Sequence, residues 1–132
     1  MTLERIFKNF ILAEVCLILF ILIAVIFEPE EITIISESLG PGFLDNDLGG
    51  IIAISFFTLS CAGLFLIYKF VYFGKTLFVI LFIVTIFLSP FIGPSVLSPL
   101  VSMLEWLEGV TNGAILVFLY FTPIKDKFIP QR

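Results

Sequence analysis

Four long apolar runs, separated by short polar or proline-rich breaks, organise the 132-residue chain. A helix that crosses a bilayer needs about 20 mostly apolar residues at 1.5 Å each. On that measure the first span covers about residues 6–27 and stops at Glu28-Pro29-Glu30-Glu31. The second covers about 50–68, opened by Leu48-Gly49-Gly50 and closed by Lys69. The third, 77–92, follows Lys75 and runs into a segment whose Pro90, Gly93 and Pro94 halt a helix. The fourth, 99–121, is the best delimited. Ser98 offers an N-cap, Pro99 stands at the first helical position, and Pro123 closes the run. The pattern predicts an all-α, integral membrane four-helix bundle forming a single domain over residues 1–132.

Composition agrees. Sixty per cent of the residues (60%) are hydrophobic and 16% aromatic, and the mean hydropathy is +1.19. A typical soluble domain is about 45–50% apolar even when glycine is counted. So short a chain cannot hide that surplus in a core, so lipid must cover it.

The charges then fix an orientation. Arg5 and Lys8 precede the first span, Lys69 and Lys75 link the second to the third, and Lys125, Lys127 and Arg132 follow the fourth. Four crossings bring those three places to one side, and Lys and Arg concentrate in cytoplasmic loops. Both termini are therefore expected in the cytoplasm. The loop 28–49 falls outside and carries Glu28, Glu30, Glu31, Glu37, Asp45 and Asp47. Its Asp45-Asn46-Asp47 start resembles a calcium loop, but Phe56 stands where the twelfth-position acid belongs, so an acidic connector is the expectation. Ile32–Ser36 within it reads either as a short strand or as a segment lying along the membrane interface.

Several chemistries are excluded. The chain has no histidine, which removes the usual general base and most metal sites. Asp45, Asp47 and Asp126 all lie outside the apolar runs, against a paired-aspartate intramembrane protease. No glycine-rich phosphate loop occurs. Cys16 and Cys61 sit inside apolar runs and form no disulfide framework. Val15 stands where a lipoprotein cleavage box needs a small residue. Ala24-Val25-Ile26-Phe27 likewise lacks a signal-peptidase site, so the first span is expected to stay as an anchor. The reading is a protein without enzymatic activity, cofactor or nucleic-acid partner.

Polar residues inside the spans supply two candidate features. Glu105, Glu108, Asn112, Ile115 and Leu119 follow three- and four-residue steps along one stripe of the fourth helix. Gly109 and Gly113 flank it as a small-xxx-small pair, the device that lets membrane helices approach closely. These residues are expected to pack against protein, with the glutamates reaching up to water at the outer surface. The second feature is a layer. Glu14, Ser60, Thr85 and Asn112 each lie about 12–14 Å from the inner end of their span at helical rise. Glu14 there is expected to be a neutral acid that bonds Asn112, because hydrocarbon is a poor solvent for a carboxylate. It is either a structural hydrogen-bonding link or a proton- or cation-coupled site.

Two resemblances bear on these features. Ile11–Val15, reading Ile-Leu-Ala-Glu-Val, resembles the first helix of small multidrug resistance transporters. That likeness implies that Glu14 couples proton and solute binding. The third span, Leu-Phe-Val-Ile-Leu-Phe-Ile-Val from Leu77, lacks that family's Trp- and Gly-rich character. Gly113–Leu116 and Tyr120–Pro123 resemble the last helix of uncharacterised small four-helix inner-membrane proteins of bacteria, which implies location and topology but no reaction. The sequence therefore favours an accessory, protective or partner-binding role in a bacterial inner membrane, with another membrane protein or a second copy as partner. The alternative is a small proton-coupled transporter or oligomeric channel using Glu14. The count of only one carboxylate at that depth tips the reading towards the accessory role.

Overall fold

The computed structural model describes residues 2–40, 47–92 and 96–128. Asp45, Pro94 and Arg132, which entered the reading of the loops and tails, lie outside the described residues. All regular structure among those residues is helical: α1 (Leu3–Ile26), α2 (Glu30–Ser38), α3 (Asp47–Tyr68), α4 (Tyr72–Ile92), α5 (Pro99–Phe121) and a closing 3-10 turn, Pro123–Phe128. α1, α3, α4 and α5 are each long and apolar enough to cross a membrane. At helical rise the 24 residues of α1 reach about 36 Å, more than the ~30 Å hydrocarbon thickness. Large apolar side chains such as Phe20, Ile54, Phe87 and Phe121 are exposed along these helices and need lipid as solvent. This is a multi-pass membrane protein.

Three helix starts precede the expected ones, that of α3 at Asp47 rather than Gly50. α1 begins at Leu3 because Thr2 caps it, its hydroxyl accepting from the Arg5 N–H at 3.4 Å. α4 begins at Tyr72 rather than Leu77. Lys75 does not end the apolar helix, because its ammonium lies 4.0 Å from the centre of the Tyr120 ring. α5 starts where its cap signal lies, with the Ser98 hydroxyl accepting from the Val101 N–H.

The strand alternative for Ile32–Ser36 is overturned, since this stretch belongs to α2. Glu30 and Glu31 in its first turn oppose the positive end of the helix dipole. The Pro29 carbonyl accepts from the N–H groups of Ile32 and Thr33, and Gly40 ends the segment at φ 88°. The loop 28–49 is thus partly a short helix, with Ile34 and Ile35 exposed on it.

The spanning helices associate as two pairs, α1 with α5 and α3 with α4, joined mainly where α1 meets α3. The joint lies at one end of the bundle. There Phe7, Ile11, Leu64, Ile67, Ile115 and Leu119 are buried together. The Phe7 ring lies 5.6–6.4 Å from those of Phe70, Phe118 and Phe128. The 3-10 turn folds beneath this floor and inserts Ile124 and Phe128.

The link between α3 and α4 is tight. Val71 N–H donates to the Leu66 carbonyl and Phe70 N–H to that of Ile67, the bond pair of a Schellman cap. The left-handed position is normally glycine, yet Phe70 occupies it at φ 57°. Ring contacts with Phe7 and Phe128 hold it there. Just beyond, a Cβ on Gly74 would stand 2.5 Å from the Leu66 Cβ and 2.9 Å from the Ile67 nitrogen, so the return of the chain requires glycine.

Charge is segregated along the bundle. The described basic residues Arg5, Lys8, Lys69, Lys75, Lys125 and Lys127 all lie at the end closed by the aromatic floor. Glu4 there pairs with Lys8 at 3.0 Å and with Lys127. The opposite end carries Glu28, the glutamates of α2 and Asp47.

Candidate functional site: a polar cavity inside the bundle

Above the aromatic floor the two helix pairs part. No residue of α3 before Gly63 is buried, and no described residue of α4 after Leu81. The space left between the pairs is a cavity of about 220 Å³. Glu14, Ser60, Thr85 and Asn112, one polar residue from each spanning helix, all line it. So do Glu105, Glu108 and Gly109. The sequence presents the stripe on α5 and the four-helix layer as two features. In the fold they are the wall and the floor of one site.

The site has two unlike faces. α1 and α5 bring three carboxyl groups and the Asn112 amide. α3 and α4 face them with apolar groups, Leu64, Phe78, Leu81, Phe82 and Ile86, interrupted by Ser60 and Thr85. The Thr85 hydroxyl is committed to its own helix, donating to the Leu81 carbonyl at 3.0 Å. It therefore offers the cavity an acceptor rather than a free donor.

Glu14 is the deepest of the acids. It lies midway along α1, only 1% exposed, one turn above Ile11 and two above Phe7 on the same buried face. Asn112 reaches its carboxyl from α5 as a hydrogen-bonding neighbour. One oxygen, Oε2, has no hydrogen-bond partner. An unpartnered buried polar atom costs about 1–3 kcal/mol, so such a position calls for a bound proton, water or cation.

Glu108 and Glu105 continue upward on α5. Glu108 is half-buried one turn above Asn112, and Glu105 is exposed about one turn higher still. Glu28, just beyond α1, stands at the top of this series. Glu28 also accepts from the Ser98 N–H at 2.7 Å, which ties the top of α1 to the start of α5. No group of three or more acidic, Cys or His residues among those described converges closely enough to hold a metal ion. The carboxyls form a ladder rather than a chelate.

The expectation for the two glycines needs correction. A Cβ on Gly109 or Gly113 would meet nothing within 4 Å, so neither mediates close helix packing within this chain. Gly109 borders the cavity. The close approach falls instead at Gly74, which hydropathy does not mark. Its only signal is its position just after the Lys69-Phe70-Val71 turn.

No protein-family model, curated protein or solved structure matches the chain. What the site does must be argued from its own chemistry.

Proposed function

We propose that this chain is a non-enzymatic protein of a bacterial inner membrane, with both termini cytoplasmic, acting as a small proton-coupled carrier whose exchanging group is Glu14. The observation that carries this reading is the buried Glu14 carboxyl, with one oxygen unpartnered, on a cavity shared with Glu105 and Glu108. The count of a single carboxylate at this depth was the reason to favour an accessory role. Two further carboxyl groups, about one and two turns higher, share its cavity and weigh against that reason. An ionisable group within the membrane that faces a cavity marks an ion or proton pathway by default. The segregation of basic residues supports the orientation, and the resemblance of the final helix supports the bacterial location.

In this reading, binding a proton and binding a cationic solute are alternatives at Glu14, so each displaces the other. The helix pairs meet chiefly at the aromatic floor, so a rocking of one pair against the other about that joint is the motion that would change access. The test is proton flux in proteoliposomes under an imposed pH gradient. The wild type should dissipate the gradient, and Glu14→Gln, which keeps shape but cannot titrate, should not. Equal rates in the two proteins would remove the carrier reading.

The accessory reading keeps one observation in its favour. α4 packs mainly on α3 and α5 mainly on α1, so the faces of α4 and α5 towards each other are left free for a helix of another membrane protein or of a second copy. A stoichiometric partner recovered in mild detergent, together with absence of flux, would favour it.

A further inference from the structure

We infer that Glu105 and Glu108 form a one-sided aqueous path that connects Glu14 to the acidic end of the bundle, while the aromatic floor closes it from the basic end. This inference deepens the carrier reading and rests on it for its physiological meaning, but its geometry stands apart. The path begins at Glu28 and Glu105, near the top of α5. Counting from Pro99 at helical rise, Glu105 lies about 9 Å down the helix, Glu108 about 13 Å and Asn112 about 20 Å. Glu14 is about 18 Å below Ile26. From Glu28, which bonds the Ser98 N–H, to Glu105 is about two turns down α5, and the steps from Glu105 to Glu108 and on to the depth of Glu14 are about one turn each.

The cavity has room for what such a path needs. At ~30 Å³ per molecule, 220 Å³ holds about seven waters. Waters in it would find polar partners on several sides: Ser60 from α3, the Thr85 oxygen from α4, Asn112 and the glutamates from α5. Glu14, which borders this space and keeps one buried oxygen without a partner, is the independent sign that the acids serve a ligand and not merely a solvated edge. Among the described residues no cation lines the cavity, and the only charged groups facing it are Glu14, Glu105 and Glu108.

Below Glu14 the environment changes within one turn. Ile11, Leu64, Ile67, Ile115 and Leu119 are all at most 2% exposed, and Phe7 is fully buried beneath them. A water chain through that layer would have no polar group to bond. Protons and small cations therefore reach Glu14 from the acidic end alone in this conformation.

Cysteine accessibility tests this without any transport. In a background with Cys16 and Cys61 replaced by alanine, single variants Ser60→Cys, Glu105→Cys and Glu108→Cys are exposed to a membrane-impermeant trimethylammonium methanethiosulfonate from either side of the membrane. Glu37→Cys on α2 and Lys69→Cys in the α3–α4 turn mark the two ends, so the result does not depend on absolute orientation. The path predicts that Ser60→Cys and Glu105→Cys react from the side of Glu37→Cys and are silent from the side of Lys69→Cys. Ser60→Cys is nearly isosteric and keeps the test valid should a glutamate variant fail to fold. Reaction from the Lys69 side, or from neither side, would overturn the path whatever the flux assay reports. Reaction from the Glu37 side combined with unaltered flux in Glu14→Gln would leave the path standing and remove the carrier reading.

Discussion

Replacing Gly74 by alanine adds one methyl group and should be among the most damaging single changes in the chain. The added Cβ would lie 2.5 Å from the Leu66 Cβ and 2.9 Å from both the Ile67 nitrogen and the Leu66 carbonyl carbon. Most of those atoms are backbone, held by the Schellman bonds that close α3, so no rotamer change relieves the clash. Overpacking of a well-fitted site costs about 1–3 kcal/mol, and a backbone clash falls at the upper end of that range. Three other glycines are internal controls. At Gly63 the nearest atom is the Leu77 Cδ2 at 3.7 Å, an ordinary contact, and at Gly109 and Gly113 nothing lies within 4 Å. Alanine at those three sites should be neutral, or favourable by up to about 1 kcal/mol through helix propensity. Loss of helical circular dichroism during titration of detergent micelles with SDS ranks the four variants in one experiment. Gly74→Ala within about 0.5 kcal/mol of wild type, the range of an ordinary surface change, would refute the turn geometry.

The same titration checks three further expectations. Phe70→Ala and Phe70→Gly both lose the ring contacts with Phe7 and Phe128, but only alanine keeps the cost of a left-handed backbone, so Phe70→Gly should be more stable than Phe70→Ala by about 1 kcal/mol; the reverse order would contradict a left-handed Phe70. Glu28→Ala should cost about 1 kcal/mol by releasing the Ser98 N–H and loosening the top of the α1–α5 pair; amide exchange at Ser98 no faster than in wild type would count against that bond. Glu14→Leu should cost about 1–3 kcal/mol by leaving Asn112 without its partner, whereas Glu14→Gln should fold normally; equal stability of the two would mean that Asn112 does not depend on Glu14.

The four spans were legible because each is a long apolar run bounded by charge, proline or a capping residue, and α5 starts at the Ser98-Pro99 pair that marks it. The elements that sequence misplaced share a physical cause. Lys75 reads as a boundary, yet a long lysine stem lies comfortably along an apolar helix when its ammonium finds the Tyr120 face. Ile32–Ser36 has strand-like composition, but Glu30 and Glu31 at a helix N-terminus outweigh it. The candidate site was half legible. Helical rise relates Glu14, Ser60, Thr85 and Asn112 through depth, which is a one-dimensional property. Whether Glu105 and Glu108 point to outer water or into the same cavity depends on how α5 is rotated against α1. That rotation is set by Ile115 and Leu119 packing beside Phe7 and Ile11, which no count along one helix reveals. Gly109 and Gly113 show the converse limit: their spacing permits close packing, and this chain does not use it within itself.

Infrared difference spectroscopy on the reconstituted protein addresses the central claim, that Glu14 exchanges a proton with the cavity, most directly. The wild type should show a protonated-carboxyl C=O band that gives way to carboxylate absorption as the pH is raised through the range in which the helices stay folded. That band should vanish in Glu14→Gln and persist in Glu4→Gln, whose carboxyl pairs with lysines at the other end. A titrating spectrum unchanged by Glu14→Gln would contradict the account.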